Sequence, residues 1–266
     1  MAACVELRSA GRIYASPRGP VTALADVSMS IGDGEFLSLL GPSGCGKSTL
    51  LRCIAGLDRP SSGEIRVRGQ NLDGPPQGIG MVFQRDVLLD WRTILDNVLL
   101  AAEFQGQSRR GAKGRALMER ASALLDRFGI GSCADRHPWE LSGGQRQRAA
   151  ICRALLCEPE ILLMDEPFGA LDAMTRDDLN VELSRIMGPR DAAGAKTVVF
   201  VTHSIAEAVY LSDRVAVMSA GPGRVAEIFT IDLPRPRPLE VRETPEFTRY
   251  VAAIRDLFTR LGVAQH

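Results

Sequence analysis

Nine consecutive residues, Gly41-Pro42-Ser43-Gly44-Cys45-Gly46-Lys47-Ser48-Thr49, constrain this chain more than any other stretch. They follow Glu35 to Leu40, an apolar run that reads as a buried strand. They lead into Lys47 to Ala55, where Leu50, Leu51 and Ile54 recur at helical spacing before Gly56. A strand, a glycine-rich turn and a helix in that order match the phosphate-loop pattern GxxxxGKS/T in its required context. The glycines let backbone N–H groups turn inward around phosphate oxygens, and the helix adds its positive end. Lys47 is then expected to reach the outer phosphates of a nucleoside triphosphate, and the Ser48 hydroxyl to bind Mg²⁺.

Further apolar runs, Ile79 to Phe83, Ile161 to Met164, Thr197 to Thr202 and Arg214 to Met218, are separated by helical segments. That alternation predicts an α/β fold, a P-loop NTPase core whose largely parallel sheet is covered on both faces. Between the first two of these runs the period changes: Leu117, Ala121, Leu124, Leu125 and Phe128 recur every 3.6 residues, so 87–158 reads as an α-helical subdomain set into the core. The basic cluster Arg109, Arg110, Lys113 and Arg115 within it reads as a solvated loop. The expected organisation is an ATPase unit over 1–232, with its core in 1–86 and 159–232. A Pro-rich connector and C-terminal helix follow over 233–266. Leu233-Pro-Arg-Pro-Arg-Pro238 reads as a stiff spacer. The helix starts at Pro245 behind a Thr244 N-cap, with Phe247, Val251, Ile254, Phe258 and Leu261 on one face, and is expected to dock on its own domain rather than serve as a regulatory or partner-binding arm.

Composition removes several classes. With 32 Lys+Arg against 32 Asp+Glu the chain has no electrostatic footprint for a polyanion, so nucleic acid is not an expected partner. Six scattered cysteines, without a CxxC pair or histidines at ligand spacing, read as reduced thiols rather than a disulfide framework or zinc site. Glu6 and Arg8 interrupt the N-terminal apolar run that a secretory signal needs, and no stretch reaches the ~20 apolar residues of a bilayer span.

A second chemical element is Ile161-Leu-Leu-Met-Asp-Glu-Pro167, an apolar strand ending in two carboxylates. Asp165 at its end suits Mg²⁺, directly or through water, and Glu166 suits proton abstraction from an attacking water. A third is Leu141-Ser142-Gly143-Gly144-Gln145 ahead of a helix expected over Arg146 to Leu156, a second helix start fit for an anion.

That last motif resembles the signature sequence of ABC ATPases, and the other elements of that family occur in order from about Val5 to Leu233. Gln84 is similar to the Q-loop glutamine that helps hold Mg²⁺ and water, Asp172 in Gly169-Ala-Leu-Asp172 to the D-loop aspartate, His203 to the switch histidine on the γ-phosphate, and Tyr14 to the aromatic on which adenine stacks. The resemblance implies the ABC ATPase fold, including an antiparallel β portion, and a head-to-tail pair of ATPase units in which each ATP lies between one unit's P-loop and the other's signature. A homodimer is the simpler expectation because every motif is intact.

The chain lacks the fused membrane helices common in exporters, the tandem units of translation factors and the long coiled coil of repair relatives. Import is thus favoured over export, with a soluble ABC role last. Leu88 to Val98, Asp165 to Arg176 and Gly221-Pro-Gly-Arg-Val225 resemble the nitrate, sulfonate and taurine importer ATPases; Asp90 departs from that family's frequent proline, which leaves the transported solute open. The resemblance implies permease subunits as partners, a periplasmic or extracellular solute-binding protein as an indirect one, and a place on the cytoplasmic side of the cell membrane. Trp91 and Arg92 then help form a groove for the permease's coupling helix, the competing reading of Trp91 being a packed aromatic anchor. Cys45, inside the loop, is expected to be alkylated with loss of activity and protected by ATP.

Overall fold

Two long strands, β1 (Ala3–Tyr14) and β2 (Val21–Gly32), pair antiparallel across the first turn. Their alternation is broken where the register slips between Leu7 and Ala10, and Ser9 there takes a positive φ of 48°. In the computed structural model residues 3–169, 171–189 and 194–262 are described. Residues 1–2 of the expected unit, Ala170 of the Gly169–Asp172 motif and residues 263–266 of the C-terminal segment lie outside them. The chain continues through β3 (Phe36–Leu40) and α1 (Lys47–Ile54) to β4 (Ser62–Val67) and the short β5 (Gln70–Asn71). Strands β2-β1-β4-β5 form one antiparallel sheet.

The second sheet holds the Val/Ile/Leu runs. After β6 (Ile79–Val82) come the helices α2 (Ile94–Phe104), α3 (Gly111–Arg127) and α4 (Gly143–Leu156), then β7 (Ile161–Asp165). Next are α5 (Ala173–Met187), β8 (Thr197–Thr202), α6 (Ile205–Leu211), β9 (Arg214–Met218), β10 (Val225–Thr230) and α7 (Pro245–Arg260). The sheet order is β10-β9-β3-β8-β7-β6, parallel throughout except for β10, which pairs antiparallel with β9.

Burial on both faces explains why these strands are continuous apolar runs. Successive side chains point to opposite faces: Phe36, Leu40, Leu162, Met164, Val198 and Phe200 join one core with α2 to α7. Leu37, Leu39, Ile161, Leu163, Val199 and Val201 join another with α1 and the antiparallel sheet. Each such buried side chain contributes about 1.5–3 kcal/mol. The helices of 87–158 share the first core with the sheet rather than having one of their own.

One helix starts earlier than expected. α4 starts at Gly143, not Arg146, because Ser142 and Gln145 form a reciprocal capping box: Gln145 N–H donates to Ser142 Oγ (3.3 Å) and Ser142 N–H to Gln145 Oε1 (3.0 Å). The two glycines are therefore the helix's first turn rather than a loop ahead of it. The proline-rich stretch, expected as a stiff connector, is in addition anchored on the core. Arg237, 3% exposed, donates to the carbonyls of Leu233, Val209 and Tyr210, and Tyr210 Oη donates to the Arg237 carbonyl (2.7 Å). Arg242 ion-pairs with Asp177 of α5 (2.5 Å) and its guanidinium lies 4.7 Å above the Tyr210 ring. Thr244 caps α7, whose Phe247, Ile254, Leu257 and Phe258 enter the first core, with Val251 partly buried and Leu261 exposed.

Candidate active site

Four neighbouring parallel strands end side by side, with Leu40 opposite Thr202 and Asp165 opposite Val201. The residues after their carboxyl ends are Gly41 (β3), His203 (β8), Glu166 (β7) and, one residue further on, Gln84 (β6). Such an edge is where open α/β sheets bind ligands.

The phosphate loop joins β3 to α1. Gly44 (φ 76°) and Gly46 (φ 93°) sit in the left-handed region, and a Cβ on Gly46 would come within 2.6 Å of the Ala23 carbonyl oxygen. Among the described residues no side chain caps α1, and its first turn carries no acidic residue, so its leading N–H groups stay available to an anion. Lys47 is buried, with Nζ donating to the carbonyls of Gly41 (2.7 Å) and Pro42 (3.0 Å) inside the loop. Ser48 Oγ donates to Asp165 Oδ1 (2.9 Å), so these two oxygen-bearing side chains meet. Burial, with the Glu166 charge adding to it, pushes the Asp165 carboxyl above its usual range against the pull of Ser48 and Lys47. The pair fits a hard divalent cation, which takes hydroxyl and carboxylate oxygens and would offset the carboxylate's burial.

Glu166 itself has φ 44°, a strained position for a non-glycine residue, held by its N–H bond to Val201 O (3.0 Å) and its carbonyl's bond from Gly169 N (3.1 Å). Its Oε2 gathers the other two: Gln84 Nε2 donates to it at 3.3 Å, and His203 Nδ1 lies 3.7 Å away. Thus Gln84, Glu166 and His203 converge on one carboxylate oxygen.

The remaining expected residues lie elsewhere. Ser142, Gly143, Gly144 and Gln145 line a hollow of ≈ 450 Å³ together with Leu171, Asp172 and Thr175, and no phosphate-loop residue shares it. Asp172 caps α5 by accepting from Thr175 N–H (3.0 Å), and that bond holds its carboxyl below the usual range. Tyr14 donates to Asp58 Oδ2 (2.8 Å) and carries the Arg12 guanidinium over its ring at 4.6 Å. Ser43 and Thr49 complete the loop and the first turn of α1.

Trp91 is 74% exposed, which rules out the packed-anchor reading. An apolar groove of ≈ 400 Å³ does open nearby, lined by Phe83, Val87, Leu89, Leu100, Phe104 and Cys157 among others. Neither Trp91 nor Arg92 lines it, and Arg92 pairs instead with Glu103 (2.6 Å). Three α4 side chains that the motifs did not single out hold the residues on either side of Gln84. Arg146 Nε donates to Asp86 Oδ2, Gln147 Nε2 to the Phe83 carbonyl, and Arg153 to the carbonyls of Asp86 and Val87. Arg146 and Arg153 stand two helical turns apart on one face, a spacing that was available in the sequence. Arg109, within the basic cluster, is tied to Asp96 and Glu103.

A P-loop between β3 and α1, a carboxylate pair at the end of β7 and a parallel sheet behind them define a P-loop ATPase. The chain matches the family model described as ABC transporter over residues 24–169, more than half its length. It is similar to the nitrate import ATP-binding protein NrtD of Synechocystis (40% identity, covering 95% of this chain and 94% of that one). It is also similar to the bicarbonate transport ATP-binding protein CmpD of Synechococcus elongatus (40%, covering 91% and 85%). Among solved structures it resembles a dimeric ATP-binding cassette in a post-hydrolysis state bound to ADP and Pi, with a TM-score of 0.76 at 33% identity, over 86% of this chain and 99% of that one. The chain belongs to the ABC transporter family and is an ATP-hydrolysing subunit with the ABC ATPase fold.

Proposed function

We propose that this chain powers an importer for a small oxyanion-type solute of the nitrate, sulfonate and taurine group, the bicarbonate relative marking the breadth of that class. The observation that carries the hydrolytic part is the convergence of Gln84 and His203 on Glu166 Oε2 beside the Ser48–Asp165 pair. Gly41 to Gly46 and the start of α1 wrap the phosphates, Lys47 swings from its carbonyl partners onto the β- and γ-phosphates, and Tyr14 takes the adenine. A magnesium ion held by Ser48, Asp165 and Gln84 would neutralise phosphate charge. Glu166 accepts a proton from the water that attacks the γ-phosphorus as the bond to the β-phosphate oxygen breaks, and His203 steadies the γ-phosphoryl oxygens.

Because the hollow at Ser142–Gln145 and Asp172 is separate from the phosphate loop, a second ATPase unit, in the simplest case the same chain, completes each site head to tail. The units 1–86 with 159–232, and 87–158, then act as core and permease-facing part, with 233–266 appended. The groove between β6, α2 and α4 is the surface for the membrane permease, on the cytoplasmic side of the cell membrane, and a solute-binding protein acts through that permease. Among the described residues no helix is long and apolar enough to cross a membrane, in keeping with peripheral attachment.

Glu166→Gln is expected to keep ATP binding while steady-state turnover falls by ~10²-fold or more, and Lys47→Ala to lose nucleotide affinity in a direct titration. Undiminished turnover in Glu166→Gln would remove it as the base. The solute is tested by asking which oxyanion raises the melting temperature of the solute-binding protein encoded beside this chain.

A further inference from the structure

We propose that Glu207 is a positioning residue for ATP hydrolysis: its buried carboxylate fastens the strand end carrying His203 to the start of the helix that follows Asp172, so that the two segments move as one. The proposal rests on the hydrolytic roles assigned above to Glu166 and His203.

Ser204-Ile-Ala-Glu207 has the S-x-x-E spacing of a capping box, in which the glutamate would turn back to bond the Ser204 N–H. Only half of that box forms. Ser204 Oγ accepts from Glu207 N–H (3.3 Å), but the Ser204 N–H goes to Thr202 Oγ1 (3.0 Å). The carboxylate is thereby released from its local duty and turns inward. Its Oε2 accepts from Thr202 Oγ1 at 2.5 Å, so one hydroxyl pins the residues on both sides of His203. Its Oε1 lies 3.5 Å from Arg176 Nε.

Arg176 is the other end of the link. Its Nη2 donates to the Leu171 carbonyl (3.1 Å) and its own N–H to the Asp172 carbonyl (3.0 Å), which holds the turn into α5. Glu166, Gly169, Arg176, Thr202, His203 and Glu207 line a single narrow crevice. The path Asp172–Arg176–Glu207–Thr202–His203 therefore runs from the turn beside the Ser142–Gln145 hollow to the histidine at Glu166.

A buried carboxylate is a costly way to pack a helix onto a strand. Burial pushes Glu207 above the usual carboxylate range despite the lowering pull of Thr202, Arg176, His203 and Arg242. The ionised form therefore weighs against the fold at neutral pH: stability falls as pH rises from the unfolded value through the raised folded one. Retaining the carboxylate makes sense if its task is alignment.

Steady-state ATPase assays on the full chain, with nucleotide Kd and Tm, test this on Glu207→Gln, Arg176→Gln, their double variant, Arg176→Lys and Glu166→Gln as reference. Either single glutamine variant should lower kcat by about ten- to a hundredfold with KM and Kd within about twofold. The Tm of Glu207→Gln should be unchanged or higher, the double variant no slower than the slower single one, and Arg176→Lys should restore most of kcat. Wild-type kcat in Arg176→Gln, a double variant that falls by the product of the single effects, or losses that track a lower Tm would overturn the link. Should Glu207→Gln fail to fold, the Arg176 variants decide alone. Turnover persisting in Glu166→Gln would instead sink the site reading beneath it.

Discussion

At Cys45 the thiol sits inside the phosphate loop yet is 0% exposed, with Sγ 3.9 Å from Lys47 Nζ and packed at Gly41, where a Cβ would approach it to 2.8 Å. Burial raises its pKa despite Lys47, which leaves it a poor nucleophile as well as a hidden one. The expectation of ready alkylation with ATP protection is therefore replaced. In the native protein a maleimide should label the partly exposed Cys157 first, and Cys45 only on unfolding, with no change when ATP is added; peptide mapping of the time course checks this. Position in a motif was legible here and depth was not, because the buried cluster that takes in Cys45 includes Ala216 and Met218 of β9, far along the chain. Glu207 was illegible for a related reason. Its spacing reads as a local cap, and only the tertiary placement of Thr202 and Arg176 redirects it.

Among elements, the turn Gly221–Val225 shows what ties the two sheets together at the loop. Gly223 N–H donates to Ala23 O and its carbonyl accepts from Ala25 N–H (both 3.0 Å), and a Cβ on it would lie 2.0 Å from the Cys45 carbonyl oxygen. Gly223→Ala must therefore push the phosphate loop. A stability loss of about 1–3 kcal/mol in urea unfolding, with ATP affinity weakened more than adenosine affinity, is the expected result. The parallel strands were readable within a residue or two because burial on both faces leaves uninterrupted apolar runs. β1 and β2 were not, since their bulges and half-exposed faces dilute the period. The early start of α4 was missed because two glycines look like a loop until the Ser142–Gln145 box is recognised.

Over the whole molecule, the segment after β10 proves structural. Arg237 fills the space over α6 with five hydrogen bonds and burial moves its pKa down to about 10. Arg237→Ala would leave the carbonyls of Val209 and Tyr210 without their donor, for a cost of about 3 kcal/mol or more. Urea unfolding followed by circular dichroism should show that loss with the m-value unchanged. A chain ending at Asp232 should fare worse, since Phe247, Ile254, Leu257 and Phe258 leave the core with it.

The guanidinium of Arg237 also orders events in time. Synthesis runs from the N-terminus, so α6 and its open carbonyls emerge before the side chain that closes them. The nucleotide machinery is thus fully translated while this seal on its scaffold is still missing. The scaffold thus depends on a residue that is translated after every motif that meets the nucleotide.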